Sequence, residues 1–320
     1  MKNKVLLVAA MLLLGTVLFA SGAAEESGNP VIGVSLPGSV EFFSVERVGM
    51  DKAAEEFGVE LIYADAEWDP GKQLSQVEDF VARQVDMVLL CAADNQALLP
   101  AVERCNEAGI PLMTFTNVLG DDPKGQLDGV VAYVGQNDID QGRLLGQMAD
   151  EYLGMGPANV VLIEGAPGTS PQRMRTEGFM QFLENRPQWE IVYRQAIPGW
   201  TKEGSLAAME TFLQTNQPFD VVVTHWHAAA AAAATAIEEA GLEEGGKDVV
   251  IVGLEYTKEI RPLIQSGEVN AISYASIEEM GYTTVDIAAK YLAGEDIPSY
   301  VGIDPIVVDQ TNVDDVEPEM

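Results

Sequence analysis

Few residue patterns in this chain could support chemistry. Its only two histidines flank a tryptophan in His225-Trp226-His227. In an extended segment His225 and His227 share a face and Trp226 points the other way. Two imidazoles without a nearby third ligand make a poor zinc site, so no metal is expected. A ligand-facing Trp226 and a histidine at the mouth of a cleft remain as readings. Gly154-Met155-Gly156-Pro157 precedes a strand-like run instead of following one and lacks the third glycine of a dinucleotide loop. There is no Gly-Lys-Ser/Thr phosphate cradle and no Gly-x-Ser-x-Gly elbow, and a cysteine nucleophile would need a histidine beside it. No cofactor is expected. The 50 Asp and Glu are too many to select a catalytic pair. The side chains better suited to holding a ligand are Phe42-Phe43 and one of Arg173 and Arg175. For the phenylalanines, core packing at a helix start and a ligand platform both stay open. The arginines lie two apart, so on a helix they cannot both face one cleft. Arg175 is the candidate, against the plainer reading of an ion pair.

The elements that position these residues alternate. Strand-like runs read Val31–Leu36, Val59–Ala64, Met87–Cys91, Ile110–Phe115, Val130–Val134, Val160–Glu164, Ile191–Ala196, Val221–Thr224, Val249–Leu254 and Ala271–Ala275. They are short, rich in Val and Ile, and continuous, as expected of strands covered on both faces. Amphipathic runs lie between them: Leu74, Val77 and Val81 keep helical spacing, Asp69-Pro70 reads as an N-cap and first turn, and Gly58, Gly109, Gly241 and Gly267 stand where helices should stop. Strict β-α-β alternation predicts parallel sheets with right-handed crossovers. Pro37-Gly38-Ser39 is echoed about 130 residues later by Pro167-Gly168-Thr169-Ser170, a faint sign of two similar halves. In open sheets of this kind ligands bind beyond the carboxyl ends of the strands.

Length and charge set the outer bounds. At roughly 150 residues per domain, 320 residues predict about two domains. The net charge of −32, from 50 acids against 18 Lys and Arg, disfavours nucleic acid and anionic membrane surfaces as partners. Residues 1–24 read as a signal peptide: Lys2 and Lys4, an apolar run Val5–Ala20, then Ser21, Gly22, Ala23 and Ala24. No cysteine stands there for a lipoprotein anchor, and no later run is apolar enough to span a bilayer, so an exported, soluble chain is expected. Cys91 ends a strand and Cys105 lies roughly 15 Å away along the next helix, too far for a disulfide; two buried thiols are expected.

With these runs in order, almost the whole chain after the leader resembles the periplasmic sugar-binding proteins of the ribose and galactose type, the solute receptors of ABC importers. The carriers are Val31–Ser35 with Glu41-Phe42-Phe43, Gly109–Phe115, Val134–Asp138 leading to Gly142-Arg143, Gly165–Ser170, Arg173–Phe179, and Val252-Gly253 before Glu255. Sugar-responsive repressors share that fold, but this sequence opens on an export signal and shows no DNA-binding headpiece. The resemblance implies an α/β fold of two doubly wound, parallel-sheet, Rossmann-like domains joined by a three-crossover hinge. One domain would hold residues 30–136 plus 276–303 and the other 137–275 plus 304–320, with crossings near Gln136, Ala275 and Ile303. It makes Phe42 and Phe43 platforms under a sugar ring, Arg175 a forked donor to hydroxyls, Trp200 an aromatic from the second domain, and Glu255 a hydroxyl acceptor where the family has Asp. Thr116-Asn117 replaces the family's Asp-Arg, Trp226-His227 replaces Asn-Asp, and Ala275 replaces a hinge Gln. The site is thus expected to be more aromatic and less charged than a ribose site, with Glu255 its only acid. A different sugar, a sugar derivative, or a flat ligand such as a nucleoside is implied. Partners implied are a membrane permease or a chemoreceptor, with the protein a monomer. The rival of another class is an exported enzyme acting on glycans, which needs two carboxylates at a set separation across the cleft.

Overall fold

The continuous Val and Ile runs form strands, and the amphipathic runs between them form helices that cover both faces. The structure is a computed structural model that describes residues 28–242 and 249–319; the expected leader lies outside the described residues. The first half contains β1 (Val31–Leu36), α1 (Glu41–Phe57), β2 (Glu60–Asp65), α2 (Pro70–Ala82), β3 (Met87–Leu90), α3 (Leu99–Ala108), β4 (Leu112–Phe115) and β5 (Val130–Gly135). The second contains α4 (Asp138–Leu153), β6 (Ala158–Glu164), α5 (Ser170–Leu183), β7 (Trp189–Ala196), α6 (Lys202–Leu213), β8 (Val221–Thr224), α7 (His227–Glu239), β9 (Val250–Leu254), α8 (Ile260–Ser266) and β10 (Ala271–Tyr274). The chain ends with α9 (Ile277–Leu292), β11 (Tyr300–Gly302) and β12 (Ile306–Asp309).

Two six-stranded sheets result, in the orders β11-β5-β4-β3-β1-β2 and β12-β10-β9-β8-β6-β7. Position by position the two orders match, so the echo between the halves is architectural. The chain passes from one sheet to the other three times: between β5 and α4, between β10 and α9, and between β11 and β12. Helix α9 returns to pack on α1, while α4 packs on α5. Both pairs meet through glycine. A Cβ on Gly49 would lie 1.9 Å from the Glu278 carbonyl oxygen, and one on Gly142 would lie 2.0 Å from that of Arg175. Near the second crossing, the Glu319 carboxylate accepts from the Ile277 N–H at 2.7 Å, which ties the tail to the start of α9.

Two expectations need correction. The last two strands are additional to the ten read from sequence, and β12 runs antiparallel to β10, so the second sheet is not wholly parallel. The reason lies in the crossing. Strand β11 is parallel to β5 and finishes at the carboxyl end of the first sheet. Three residues later the chain meets the second sheet at its own carboxyl end, and it can only run away from that end. The caps follow expectation: Asp69 accepts from the N–H groups of Gly71 and Lys72, and Gly58, Gly109 and Gly267 close their helices with φ of 67°, 71° and 91°. Cys91 and Cys105 are buried free thiols.

Candidate functional site

The carboxyl ends of both sheets face one cavity of about 540 Å³. All eight residues singled out from sequence line it: Phe42, Phe43, Thr116, Asn117, Arg175, Trp200, Trp226 and Glu255. Phe42 and Phe43 sit in the first turn of α1, edge to face with centroids 5.3 Å apart. Thr116 and Asn117 follow β4; the Asn117 amide nitrogen donates to the Ala92 carbonyl at 2.8 Å. Trp200 ends a short turn after β7, and its ring meets Trp226 edge to face at 5.1 Å.

Arg175 is 8% exposed and held from two sides. Its Nε donates to the Asp138 carboxylate at 2.8 Å and its Nη1 to the His225 carbonyl at 2.6 Å. The remaining N–H groups of the guanidinium fork can serve a ligand. Burial pushes the Asp138 carboxyl up, an effect that the adjacent guanidinium only partly offsets. Arg173, two residues back, faces a different way and bonds Asn95 and Asp121.

The histidines depart from the extended-segment expectation. Strand β8 ends at Thr224 and α7 begins at His227, so alternation stops there. Trp226 and His227 both line the cavity, while His225 is fully buried and its Nδ1 accepts from the Gly165 N–H at 3.3 Å. Burial, with Arg175 and Arg194 nearby, holds His225 well below its ordinary value and therefore neutral. The His227 Nδ1 lies 2.6 Å from the Glu255 carboxylate. Burial disfavours the imidazolium there, but the Glu255 hydrogen bond and the charges of Glu255, Glu259 and Glu41 prevail and raise its pKa.

A further correction concerns charge. Glu255 is not the only acid at the site: Glu41, Glu203 and Glu259 also border the cavity, with Lys202 paired to Glu259. The first two are first-turn residues of α1 and α6, where acids favour helix starts. Sequence reasoning also passes over Trp68, which lines the same cavity. No group of three or more metal-ligating side chains is found among the described residues.

Backbone conformation marks the site independently. Among the described residues seven non-glycine residues have left-handed φ, and four of them line the cavity: Trp68 (63°), Thr116 (54°), Trp200 (55°) and Glu255 (73°). Such residues persist only where surrounding structure over-determines them, and they gather at functional sites.

Comparison with known families identifies residues 32–296 as a periplasmic binding protein domain, most of the chain. The chain belongs to the periplasmic binding protein family. Similar members include the ribose import binding protein of Bacillus subtilis, 28% identical over 256 residues that cover 80% of this chain and 79% of that protein. The xylitol-binding protein of Mycolicibacterium smegmatis is 26% identical, covering 96% of this chain and 84% of its own. Among solved structures, an ABC transporter solute-binding protein of Bacillus halodurans with bound myo-inositol superposes with a TM-score of 0.82 at 27% identity. That match covers 91% of this chain and 98% of the other. The two parallel-dominated sheets are those of the type I periplasmic binding fold, and this family is one of solute receptors.

Proposed function

We propose that this protein is an exported receptor that captures a monosaccharide or sugar derivative between its two lobes and delivers it to the membrane permease of an ABC importer. The observation that carries the reading is the cavity between the two sheets' carboxyl ends, lined by aromatic rings from both lobes together with Arg175, His227 and Glu255. Rings accept the C–H faces of a sugar, and the polar edge serves its hydroxyls. Relatives named for ribose and xylitol, and a structural relative holding myo-inositol, agree with that chemistry.

The lobes are residues 30–136 plus 276–303 and 137–275 plus 304–320, and the three crossings form the hinge. Ligand touching both lobes favours the closed state by its differential affinity, and closure presents both lobes to the permease or to a chemoreceptor. Binding without turnover follows, by a monomer released after cleavage of the 1–24 leader. Calorimetry of the mature protein against monosaccharides, polyols and adenosine tests the ligand class; a panel without a single binder would sink the carbohydrate reading. Product appearing from a bound sugar would replace the receptor with an enzyme. Trp200 and Trp226 should change their fluorescence on binding, and an unchanged spectrum at saturation would remove both from the contact surface.

A further inference from the structure

Trp68 repeats Trp200 in the opposite lobe. Strands β2 and β7 occupy matching edge positions, beside β1 and β6. Each leads into a tryptophan that immediately precedes a helix N-cap, Asp69 for α2 and Thr201 for α6. Both tryptophans have left-handed backbones, with φ of 63° and 55°. Each indole lies on a glycine just beyond the inner strand. A Cβ on Gly38 would stand 2.3 Å from the Trp68 Nε1, and one on Gly165 would stand 1.9 Å from the Trp200 ring. Trp68 also reaches the other lobe, since a Cβ on Gly199 would come within 4.0 Å of its pyrrole edge.

The fold does not explain this arrangement. Left-handed backbone is strained for a non-glycine residue, and both indoles, though packed at the margin of a core, keep part of their surface on the cavity. Trp68 extends the Phe42–Phe43 array, its centroid 6.4 Å from that of Phe43. The first lobe thus carries three rings, and the second carries Trp200 and Trp226. Two aromatic walls with polar groups between them suit a ring held by both faces with its hydroxyls at the edge.

We infer that Trp68 is a specificity-determining residue, the first-lobe counterpart of Trp200, and that the pair selects ring ligands exposing C–H groups on both faces over open-chain polyols. This rests on the reading of the cavity as a solute site.

The test measures affinities of the mature protein for myo-inositol, D-glucose, D-xylose and xylitol. Wild type should favour its best ring ligand over xylitol by at least about tenfold, and Trp68→Ala should weaken that ring ligand about 30-fold while Trp68→Phe stays within about fivefold. A Trp68→Ala protein within threefold of wild type would overturn the assignment. Should that variant not fold, 5-fluorotryptophan labelling gives a second readout. The Trp68 fluorine resonance, identified by its loss in Trp68→Phe, should shift at saturation with the ring ligand, and an unmoved resonance overturns the assignment as well. If none of the four compounds binds wild type, the carbohydrate reading fails separately. The same resonance is then compared between protein as purified and protein stripped in guanidinium and refolded. A shift retains Trp68 as a ligand contact, and no shift removes it.

Discussion

Arg173 reaches out of α5 into the opposite lobe and donates from Nη1 to the Asn95 side-chain oxygen at 2.6 Å. Asn95 is itself buried, its amide donating to the Gly120 carbonyl at 2.6 Å and its N–H to the Gly168 carbonyl at 3.1 Å, again across the lobes. The bond to Asp121 is exposed and adds little. If the two lobes hinge as proposed, Arg173 favours their closure without lining the cavity. Arg173→Ala should weaken ligand binding about five- to tenfold, the worth of roughly 1 kcal/mol, and should raise the ligand-free radius of gyration in small-angle scattering. Unchanged affinity and radius together would show that the contact does not bias closure.

Arg175 carries two roles that a pair of variants separates. Removing it leaves Asp138 buried without its ion pair, so Arg175→Ala should cost about 3–5 kcal/mol of stability along with binding. Adding Asp138→Asn removes the stranded charge and should restore most of the melting temperature, leaving binding lost. Recovery of binding in the double variant would place the ligand's partner elsewhere.

The Glu46 carboxyl, fully buried beneath Thr116, is pushed up to about 8 by burial, which the Thr116 hydrogen bond only partly counters. An unfolded glutamate titrates near 4.3. Between those values the folded state keeps a proton that the unfolded state releases, so stability falls as pH rises through this window. Glu46→Gln should abolish that part of the slope. Its melting temperature should match wild type near pH 4.5 and exceed it increasingly toward pH 8. Parallel melting curves across the range would refute the buried proton. The stability that His227 contributes at low pH is also lost as pH rises over part of this window, but equally in both proteins, so the comparison isolates Glu46.

Gly165→Ala places a methyl group 1.9 Å from the Trp200 ring and must displace it. Overpacking of this kind costs about 1–3 kcal/mol. Because Trp200 is only half-buried it can swing away, so the loss should fall on ligand affinity, by tenfold or more, rather than on folding. Calorimetry and thermal melting of this one variant decide it; full affinity would mean that the ring position is irrelevant.

Much of this was legible in sequence for a physical reason. Strands buried on both faces show as continuous Val and Ile runs, and in a doubly wound sheet the residues just past each run share one side. Phe42, Thr116 and Glu255 could be placed by that rule and by the family resemblance. The failures are equally specific. Strands β11 and β12 stand at the edges of their sheets with only one buried residue, Val308, between them, so the rule of strands covered on both faces does not reach them. Glu41 and Glu203 look like ordinary helix-start acids, which they also are. The expected shared face of His225 and His227 fails because a strand period was carried across the point where α7 begins. Trp68, in Glu67-Trp68-Asp69-Pro70, reads as capping sequence; the signal lay in its repetition as Trp200-Thr201, a tryptophan directly before an N-cap in each half.

The left-handed backbones of Trp68, Thr116, Trp200 and Glu255 have a practical consequence for directed evolution. Glycine at any of them would relieve about 1 kcal/mol of conformational strain, but it would also remove the packing of Trp68 on Phe43 or of Trp200 on Trp226, the Thr116 hydrogen bond to buried Glu46, or the Glu255 partner of His227. Each of those losses is worth about 1 kcal/mol or more. A library sorted by heat and one sorted by ligand capture should therefore both keep the non-glycine residue at these four codons.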